Sequence, residues 1–215
     1  QAHRLRLKNV LQVLFESRVS QGTESTGVTL LLRLLRMLPI DEFESIVTSL
    51  CKCSTLRVRL LEMSSQWLCC RDFSQYFTNI HHQPELRIKK ALFCLVELGN
   101  TEEESTTASK SWEMLALYIV EGTPFSSIGV RRWLYADIMR RCTLEMLSLC
   151  LSRRILAACA LRLISVQQDS TGIREESDIR HDTADLLRLS TQLLMYRRVS
   201  NALVLTAAWR QHMLS

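Results

Sequence analysis

The stretch "SLCKCSTLRVRLLEMSSQWLCC", Ser49 to Cys70, holds four of the eight cysteines of the chain. Apolar side chains recur in it every three or four positions, at Leu56, Leu60, Met63 and Trp67. That spacing is one face of a helix. Cys51 continues the apolar stripe of the preceding segment, and Cys70 continues this one. Free cysteine behaves as a small hydrophobic side chain, so the stretch predicts helices whose cores these cysteines help to fill.

The composition of the whole chain favours helices as well. Only 6 glycines and 3 prolines occur in 215 residues, whereas an all-β protein of this length needs many turns rich in such residues. Hydrophobic residues make up 47%, which is ordinary for a globular protein. We therefore predict one all-α domain over residues 1–215. Because the chain begins with Gln1 rather than Met, we interpret it as a fragment of a longer protein.

The other cysteines indicate a reducing compartment. Cys94, Cys142, Cys150 and Cys159 lie within apolar helical runs, whereas disulfide scaffolds are short and carry their cysteines in loops. The most apolar stretch, 142–166, is interrupted by charged residues, which predicts a buried helix rather than a membrane span. These observations predict an intracellular protein, nuclear or cytoplasmic, without a membrane association.

Helical periodicity predicts about ten helices. The first is predicted at 2–19, and a short one around 73–80. Two long polar loops are predicted near 100–110 and 167–182. The long helical run from 129 to 166 is predicted to break near 148–153, because helices average about 11–12 residues.

The three prolines, Pro39, Pro84 and Pro124, lie 45 and 40 residues apart, each in a connection just before a predicted helix. Helix pairs that repeat every 40–47 residues are typical of HEAT and armadillo arrays. The chain thus resembles α-solenoid proteins of that broad class, and the resemblance implies antiparallel helix pairs stacked into a scaffold. A compact, irregular helical bundle is the alternative.

Cysteine and histidine pairs raise the question of a metal site. A structural zinc site takes four Cys or His ligands. The candidates here are Cys53, Cys69, Cys70, His81 and His82. Neighbours on a helix point about 100° apart, so one residue of each pair could converge, with a partner chain or water as fourth ligand. The alternative interpretation, core filling, predicts no metal and no cofactor.

Catalytic patterns are sparse. The sequence has no glycine-rich nucleotide loop, no Gly-x-Ser-x-Gly and no His-Glu-x-x-His. His181 lies near Asp178, Asp182 and Asp185 in a predicted polar loop, where such a group could bind metal or act as a base, but is more often simply solvated. We therefore predict that the chain is not an enzyme.

Arginine doublets are the candidate contact residues. Phosphate binding needs several cations on one surface. The candidates for partner or phosphate contacts are Arg131, Arg132, Arg140, Arg141, Arg153, Arg154, Arg197, Arg198 and Trp209. The segment Leu31–Leu35 also matches the Leu-x-x-Leu-Leu pattern of helices that dock into grooves. Ordinary solvated helix faces are the alternative interpretation of the doublets, and buried helices commonly produce the leucine pattern.

These features predict a non-enzymatic scaffold or adaptor subunit that binds one or more proteins through helical surfaces. The alternative is a nucleic-acid-binding helical domain, in chromatin or genome maintenance, that uses the arginine doublets.

Overall fold

The structure, a computed structural model, describes residues 24–69, 84–101, 105–121, 128–168 and 176–197. Within these ranges it contains eight α-helices and no strand, which confirms the all-α prediction. The helices are α1 (Glu24–Met37), α2 (Ile40–Leu50), α3 (Ser54–Cys69), α4 (Pro84–Gly99), α5 (Thr106–Glu121), α6 (Ile128–Thr143), α7 (Leu149–Gln168) and α8 (Glu176–Arg197). The helices predicted at 2–19, around 73–80 and beyond 200 lie outside the described residues.

Several helices begin earlier than the sequence pattern predicts. Helix α8 starts at Glu176, inside the predicted loop 167–182. Helix α5 starts at Thr106 because the Ser105 hydroxyl accepts a hydrogen bond from the Ala108 N–H at 3.1 Å, as an N-cap does. The polar residues in these places predict loops, but serine also caps helices and glutamate favours them, so the helices begin earlier.

The packing order of the helices is regular. Counting only the helices within the described ranges, each one packs against the next but one: α1 against α3, α2 against α4, and so on to α6 against α8. The odd-numbered helices thus form one layer and the even-numbered helices another. Helix α4 also packs against α3 and α5, and α7 packs against α8, which joins the two layers.

Contacts at both ends of α6 show that it runs in the same direction as α8. Near the start of each helix, Arg131 pairs with Asp182. Near the end of α6, Thr143 accepts a hydrogen bond from the Gln192 amide at 3.0 Å. The two helices of the even layer are therefore parallel neighbours, joined by polar contacts at both ends.

Helix α4 lies at the centre. The six residues 91–96 are all buried, which requires cover on every side of the helix, and α4 packs against α2, α3, α5 and α6. An amphipathic stripe is therefore absent from this segment of α4, since a helix that is covered all round is apolar all round.

Four cysteines fill the core as predicted: Cys51, Cys94, Cys142 and Cys159 are buried. Cys150 is exposed, contrary to the prediction, because it faces outward in the first turn of α7. Cys53 is exposed as well. These six cysteines are free thiols.

A buried lysine closes the end of α1. The Lys90 ammonium of α4 donates hydrogen bonds to the carbonyl oxygens of Leu35 (3.2 Å), Arg36 (3.0 Å) and Leu38 (2.6 Å). It also lies 5.1 Å from the ring centroid of Phe43. Burial lowers the pKa of Lys90 to about 8. The last carbonyls of a helix lack intrahelical partners and carry partial negative charge, so this cation satisfies α1 and fixes it on α4.

Among the helices within the described ranges, none is both long enough and apolar enough to cross a membrane.

Candidate interaction surface

The arginine doublet at the start of α6 is used within the fold. Arg131 pairs with Asp182 at 3.4 Å, and Arg132 pairs with Asp185 at 3.4 Å, both on α8. Arg131 is largely buried, whereas Arg132 is about half exposed. These two candidate contact residues therefore join α6 to α8, and only Arg132 is open to a partner.

The doublet at the end of α6 is likewise paired. Arg140 contacts Asp137 at 2.8 Å and Glu44 of α2 at 3.7 Å. Arg141 is buried and pairs with Asp137 at 2.6 Å and with Glu97 of α4. Burial acts to lower the pKa of Arg141, but the two carboxylates outweigh it and raise the pKa. This doublet ties α6 to α2 and α4, and its acidic partner Asp137 lies three and four residues away, a spacing visible in the sequence.

A second buried ionic cluster lies where α6, α7 and α8 meet, around Asp182. Its carboxylate accepts hydrogen bonds from Arg162 (Nη2 at 3.1 Å, Nε at 3.3 Å) and from the Tyr135 hydroxyl at 3.3 Å. The Nη1 group of Arg162 donates to the carbonyl oxygen of Val120, near the end of α5, at 3.0 Å. Arg162 and Asp182 are both buried. The cluster therefore joins four helices, counting the link to Val120 of α5.

The prediction that His181 and the neighbouring aspartates lie in a polar loop is wrong. Asp182 is not a loop residue but lies inside α8, paired with arginines. His181 is in the same helix and is exposed. Successive residues of a helix point in different directions, so His181 and Asp182 face solvent and core respectively.

The remaining contact candidates differ in their surroundings. Arg153 is partly buried and its Nε has no hydrogen-bond partner, and Arg154 is exposed without an ion pair to any residue of the described ranges. Arg197 is the last residue of α8. Arg198 and Trp209 lie outside the described residues. Of the candidates on α6 and α7, Arg153 and Arg154 are thus the two without an ion pair to another residue of the described ranges.

The metal candidates are only partly described. Among the described residues, no group of three or more His, Cys, Asp or Glu side chains is placed to hold a metal ion. Cys53 lies exposed just before α3. The side chain of Cys69 and the residues Cys70, His81 and His82 lie outside the described part, so the proposed convergence stays a prediction.

Cys53 has an unusual environment for an exposed thiol. Its Sγ lies 3.2 Å from the Thr55 hydroxyl, at the start of α3. Partial burial acts to raise the pKa of Cys53, but hydrogen bonds from the Thr55 hydroxyl and from the backbone of Leu56 and Thr55, together with the charge of Arg57, lower it. Such donors stabilise the thiolate at a helix N-terminus.

We expect Cys53 to react with iodoacetamide faster than Cys150 at about pH 7.5, because reactivity follows the thiolate fraction and the pKa of Cys53 is lowered. Both thiols are exposed, so Cys150 is the matched control. The rates are measured by peptide mass spectrometry of the native protein. Substituting Thr55→Val should remove the difference in part, and equal rates in the unsubstituted protein would contradict the expectation.

The Leu-x-x-Leu-Leu segment is a core element. Leu31 and Leu35 are buried, so they cannot insert into a partner groove while α1 is folded. Trp112 and Trp133 are partly buried against the same core. None of these residues forms a free docking surface.

An apolar surface that the sequence analysis did not single out lies in the turn between α6 and α7. Leu144, Met146 and Leu149 are 57%, 47% and 44% exposed. We call these three residues the α6–α7 knuckle. Leu147, in the middle of the same turn, is buried and anchors it to the core. Sequence periodicity could not reveal this surface, because the pattern runs through it as if it were continuous helix.

The backbone of the knuckle is held by a complete set of hydrogen bonds. The Met146 N–H donates to the Arg141 carbonyl at 2.8 Å, and the Glu145 N–H donates to the Cys142 carbonyl at 3.1 Å, which together form a Schellman motif. The Ser148 hydroxyl then accepts from the Leu151 N–H at 3.2 Å and caps α7. One turn therefore ends α6 and begins α7 without an irregular linker.

Asn100, just after α4, clamps this turn from outside. Its Nδ2 donates to the Met146 carbonyl at 2.7 Å, and its Oδ1 accepts from the Ser148 N–H at 2.6 Å. The Asn100 side-chain amide thus pairs with two backbone groups, the Met146 carbonyl and the Ser148 N–H, that lack partners within the helices. The clamp fixes the knuckle relative to the central helix.

Glu145 occupies the position of this motif that usually carries glycine, with φ of +56°. Replacing Glu145 with glycine is expected to raise the free energy of unfolding by about 1 kcal/mol, because glycine adopts positive φ without the Cβ penalty. Urea denaturation at neutral pH measures the change. Glu145→Ala is the control for lost charge, since alanine keeps the Cβ, and an equal gain from both variants would contradict the backbone explanation.

A separate group of cations lies at the junction of α1 and α4. The pKa of Arg36 is lowered, first by burial and then by the positive charges of Arg87 and Arg33. Arg33 and Arg36 are exposed on α1. The tertiary structure therefore brings together arginines that are more than fifty residues apart in sequence.

Comparison with known proteins gives no relative. No family model, no curated protein and no solved structure matches this chain. The function is therefore argued from the geometry of the chain itself.

Proposed function

We propose that this chain is a non-enzymatic scaffold or adaptor subunit of an intracellular multiprotein complex, in the nucleus or the cytoplasm, and that its helices form a HEAT-like α-solenoid. Its activity is binding: a rigid helical surface holds one or more partner proteins. Exposed apolar side chains supply affinity, and arginines orient acidic partner segments.

The packing of each helix against the next but one supports this proposal. In stacked helix pairs, each unit contacts only its neighbours, so like helices of successive units form a layer. Helices α2, α4, α6 and α8 begin at Ile40, Pro84, Ile128 and Glu176, which are 44, 44 and 48 residues apart. Two of the three regularly spaced prolines mark these starts, because Pro39 directly precedes α2 and Pro84 is the first residue of α4. Pro124 lies outside the described residues.

The buried ionic clusters fit a scaffold as well. Arg141 joins α6 to α4, and Arg162 joins α7 to α5 and α8. Paired and hydrogen-bonded ions of this kind fix the relative position of helices more than they add stability. A binding surface spread over several helices needs such fixed positions.

The group of Arg33, Arg36 and Arg87 favours the alternative function, nucleic-acid binding. Burial lowers the pKa of Arg36, and the positive charges of Arg87 and Arg33 lower it further, so these cations lie near one another, as phosphate binding requires. The doublets of α6 are paired with carboxylates and contribute little net positive charge.

One capture experiment distinguishes the scaffold function from nucleic-acid binding. The tagged chain is incubated with cell extract, with and without nuclease treatment, at about 0.1 M and about 0.5 M NaCl. Bound proteins are quantified by mass spectrometry and bound nucleic acid by gel electrophoresis. A scaffold retains a defined partner in both salts, and the purified pair then elutes as one complex of defined stoichiometry in size-exclusion chromatography with light scattering. Retention of nucleic acid alone, lost at high salt, would support the alternative and contradict the scaffold proposal.

A further inference from the structure

We infer that the α6–α7 knuckle (Leu144, Met146, Leu149) is a docking site for an acidic, amphipathic helical segment of a partner protein. The inference rests on the proposed scaffold function and deepens it by naming the surface and the chemistry of its occupant.

The apolar surface of the site consists of several exposed side chains rather than a single one. Three of the four apolar side chains in residues 144–149 are each about half exposed, while the fourth, Leu147, is buried. Met195 of α8, 70% exposed, lies one turn beyond Gln192, whose amide is bonded to the end of α6 at Thr143. Exposed apolar side chains that occur together mark interaction sites more often than scattered ones do.

The site is rigid before a partner arrives. The Schellman motif, the Ser148 cap and the two-ended Asn100 clamp leave the backbone of the turn in one conformation. Glu145 is held there at a positive φ, a conformation that persists only where the surroundings enforce it. A surface already in its bound shape loses less conformational entropy on association, so modest apolar area suffices for specific binding.

The charges beside the knuckle select the kind of partner. Arg153 lies one helical turn after Leu149 and therefore on the same side of α7. Its Nε is buried and lacks a hydrogen-bond partner, and the neighbouring Arg154 is exposed and unpaired within the described ranges. Glu145 is the acidic residue of the turn itself. Arg153 is partly exposed and Arg154 is exposed, and neither has a counter-charge within the described ranges, so a partner carboxylate can pair with them, which is why an acidic segment fits best.

A helical segment is the form of partner that matches this shape. Leucines spaced three and four residues apart can contact the three knuckle side chains together, while glutamates beside them reach the start of α7. The predicted contact residues Arg153 and Arg154 thereby gain a role as orienting charges next to apolar anchors.

The test uses the full chain and a synthetic probe. The probe is a fluorescein-labelled amphipathic peptide with leucines along one helical face and glutamates on its flanks; its controls are the same peptide with lysines for the glutamates and a scrambled peptide. Fluorescence anisotropy gives the dissociation constants. We expect the glutamate peptide to bind at least about tenfold tighter than either control. Equal binding of the glutamate and lysine peptides would overturn the acidic specificity.

Two pairs of substitutions localise the binding. Leu144→Ser with Leu149→Ser should weaken binding of the glutamate peptide about tenfold or more. Leu117→Ser with Leu161→Ser, at similarly exposed apolar positions of α5 and α7, is the matched control and should leave it unchanged. Arg153→Gln with Arg154→Gln should abolish the preference for glutamate over lysine. Circular dichroism and thermal unfolding confirm that each variant is folded, and equal loss in the two leucine variants would overturn the location.

A photo-crosslinker identifies the occupant directly. With p-benzoylphenylalanine in place of Met146, irradiation of the purified chain with the glutamate peptide should yield a cross-link to that peptide. A cross-link to a second copy of the chain, or to its own residues 198–215, that the peptide does not displace would overturn the proposal. If the partner from the capture experiment binds the Leu144→Ser, Leu149→Ser variant unchanged, the knuckle proposal fails while the scaffold function stands.

Discussion

Replacing Asp182 with alanine is expected to lower the free energy of unfolding by about 3–5 kcal/mol. The Asp182 carboxylate accepts hydrogen bonds from Arg162, Arg131 and Tyr135 in a buried site. Without it, the Arg162 guanidinium remains buried with one bonded carbonyl and no counter-charge. Urea denaturation of the variant, followed by far-ultraviolet circular dichroism, measures the loss.

Conservative variants keep this prediction testable if the alanine variant does not fold. Asp182→Asn retains an acceptor of the same shape but loses the charge, so we expect a smaller loss, about 2–3 kcal/mol. Asp185→Asn breaks the more exposed pair with Arg132 and should cost less than about 1 kcal/mol. A loss from Asp185→Asn as large as that from Asp182→Asn would contradict the role of burial.

Removing the uncompensated Arg162 guanidinium should restore part of the stability that is lost with the Asp182 charge. In the double variant Asp182→Asn with Arg162→Met, the uncompensated guanidinium is gone, so the two losses should not add. We expect the double variant to be about 1–2 kcal/mol more stable than the sum of the single effects predicts. Strict additivity would mean that the two side chains do not interact energetically.

Raising the pH from 9 to 11 is expected to lower the free energy of unfolding by about 5 kcal/mol, mainly through buried thiols. Burial raises the pKa of Cys94 to about 12 and that of Cys159 to about 12, from 9.0. The unfolded chain therefore releases these protons near pH 9, whereas the folded chain keeps them to about pH 12. Each thiol thus stabilises the fold fully below pH 9, and this contribution is lost as the pH rises through that window.

Other buried groups modify the size of the effect but not its sign. Burial also raises the pKa of Cys51 and of Tyr135, which adds to the loss. Lys90 acts in the opposite direction, because its pKa is lowered to about 8 and its burial penalty disappears between about pH 8 and 10.5. Its opposing contribution amounts to one proton, against three or more from the thiols and the tyrosine.

A double variant isolates the thiol contribution. Cys94→Ala with Cys159→Ala should be less stable than the unsubstituted chain at pH 7, because two small cavities remain. Between pH 9 and 11, however, its stability should fall about 4 kcal/mol less. Equilibrium urea titrations at each pH measure both quantities, and parallel pH curves for the two proteins would contradict the assignment.

Much of the fold could be predicted from local sequence patterns. The stripe from Leu56 to Trp67 and the proline before Ile40 predict helices that the structure contains. The starts of α5 and α8 were predicted too late, because polar residues are compatible with either a loop or a capped helix. The break between α6 and α7 lies at 144–148, just before its predicted place, because Glu145 ends α6 with a conformation usually reserved for glycine.

The candidate sites were harder to predict than the helices. Eight arginines in doublets looked alike in sequence, yet Arg141 is buried between two carboxylates and Arg154 is exposed. Among the ion pairs of these doublets, only those of Arg140 and Arg141 with Asp137, three and four residues away, could be predicted from local sequence. The partner of Arg162 lies twenty residues away and that of Lys90 more than fifty, so neither pair has a local signal.

By itself, the sequence determined the helical class of this protein, the apolar faces of its helices and the burial of four of its cysteines, because these depend on local spacing and on the hydrophobic effect. The tertiary structure alone decided that alternate helices form layers, that Lys90 and Arg162 close helix ends, and that the α6–α7 knuckle remains exposed beside unpaired arginines. The physical reason is that burial and charge pairing depend on which distant segments meet, and periodicity along one segment carries no information about its neighbours in space.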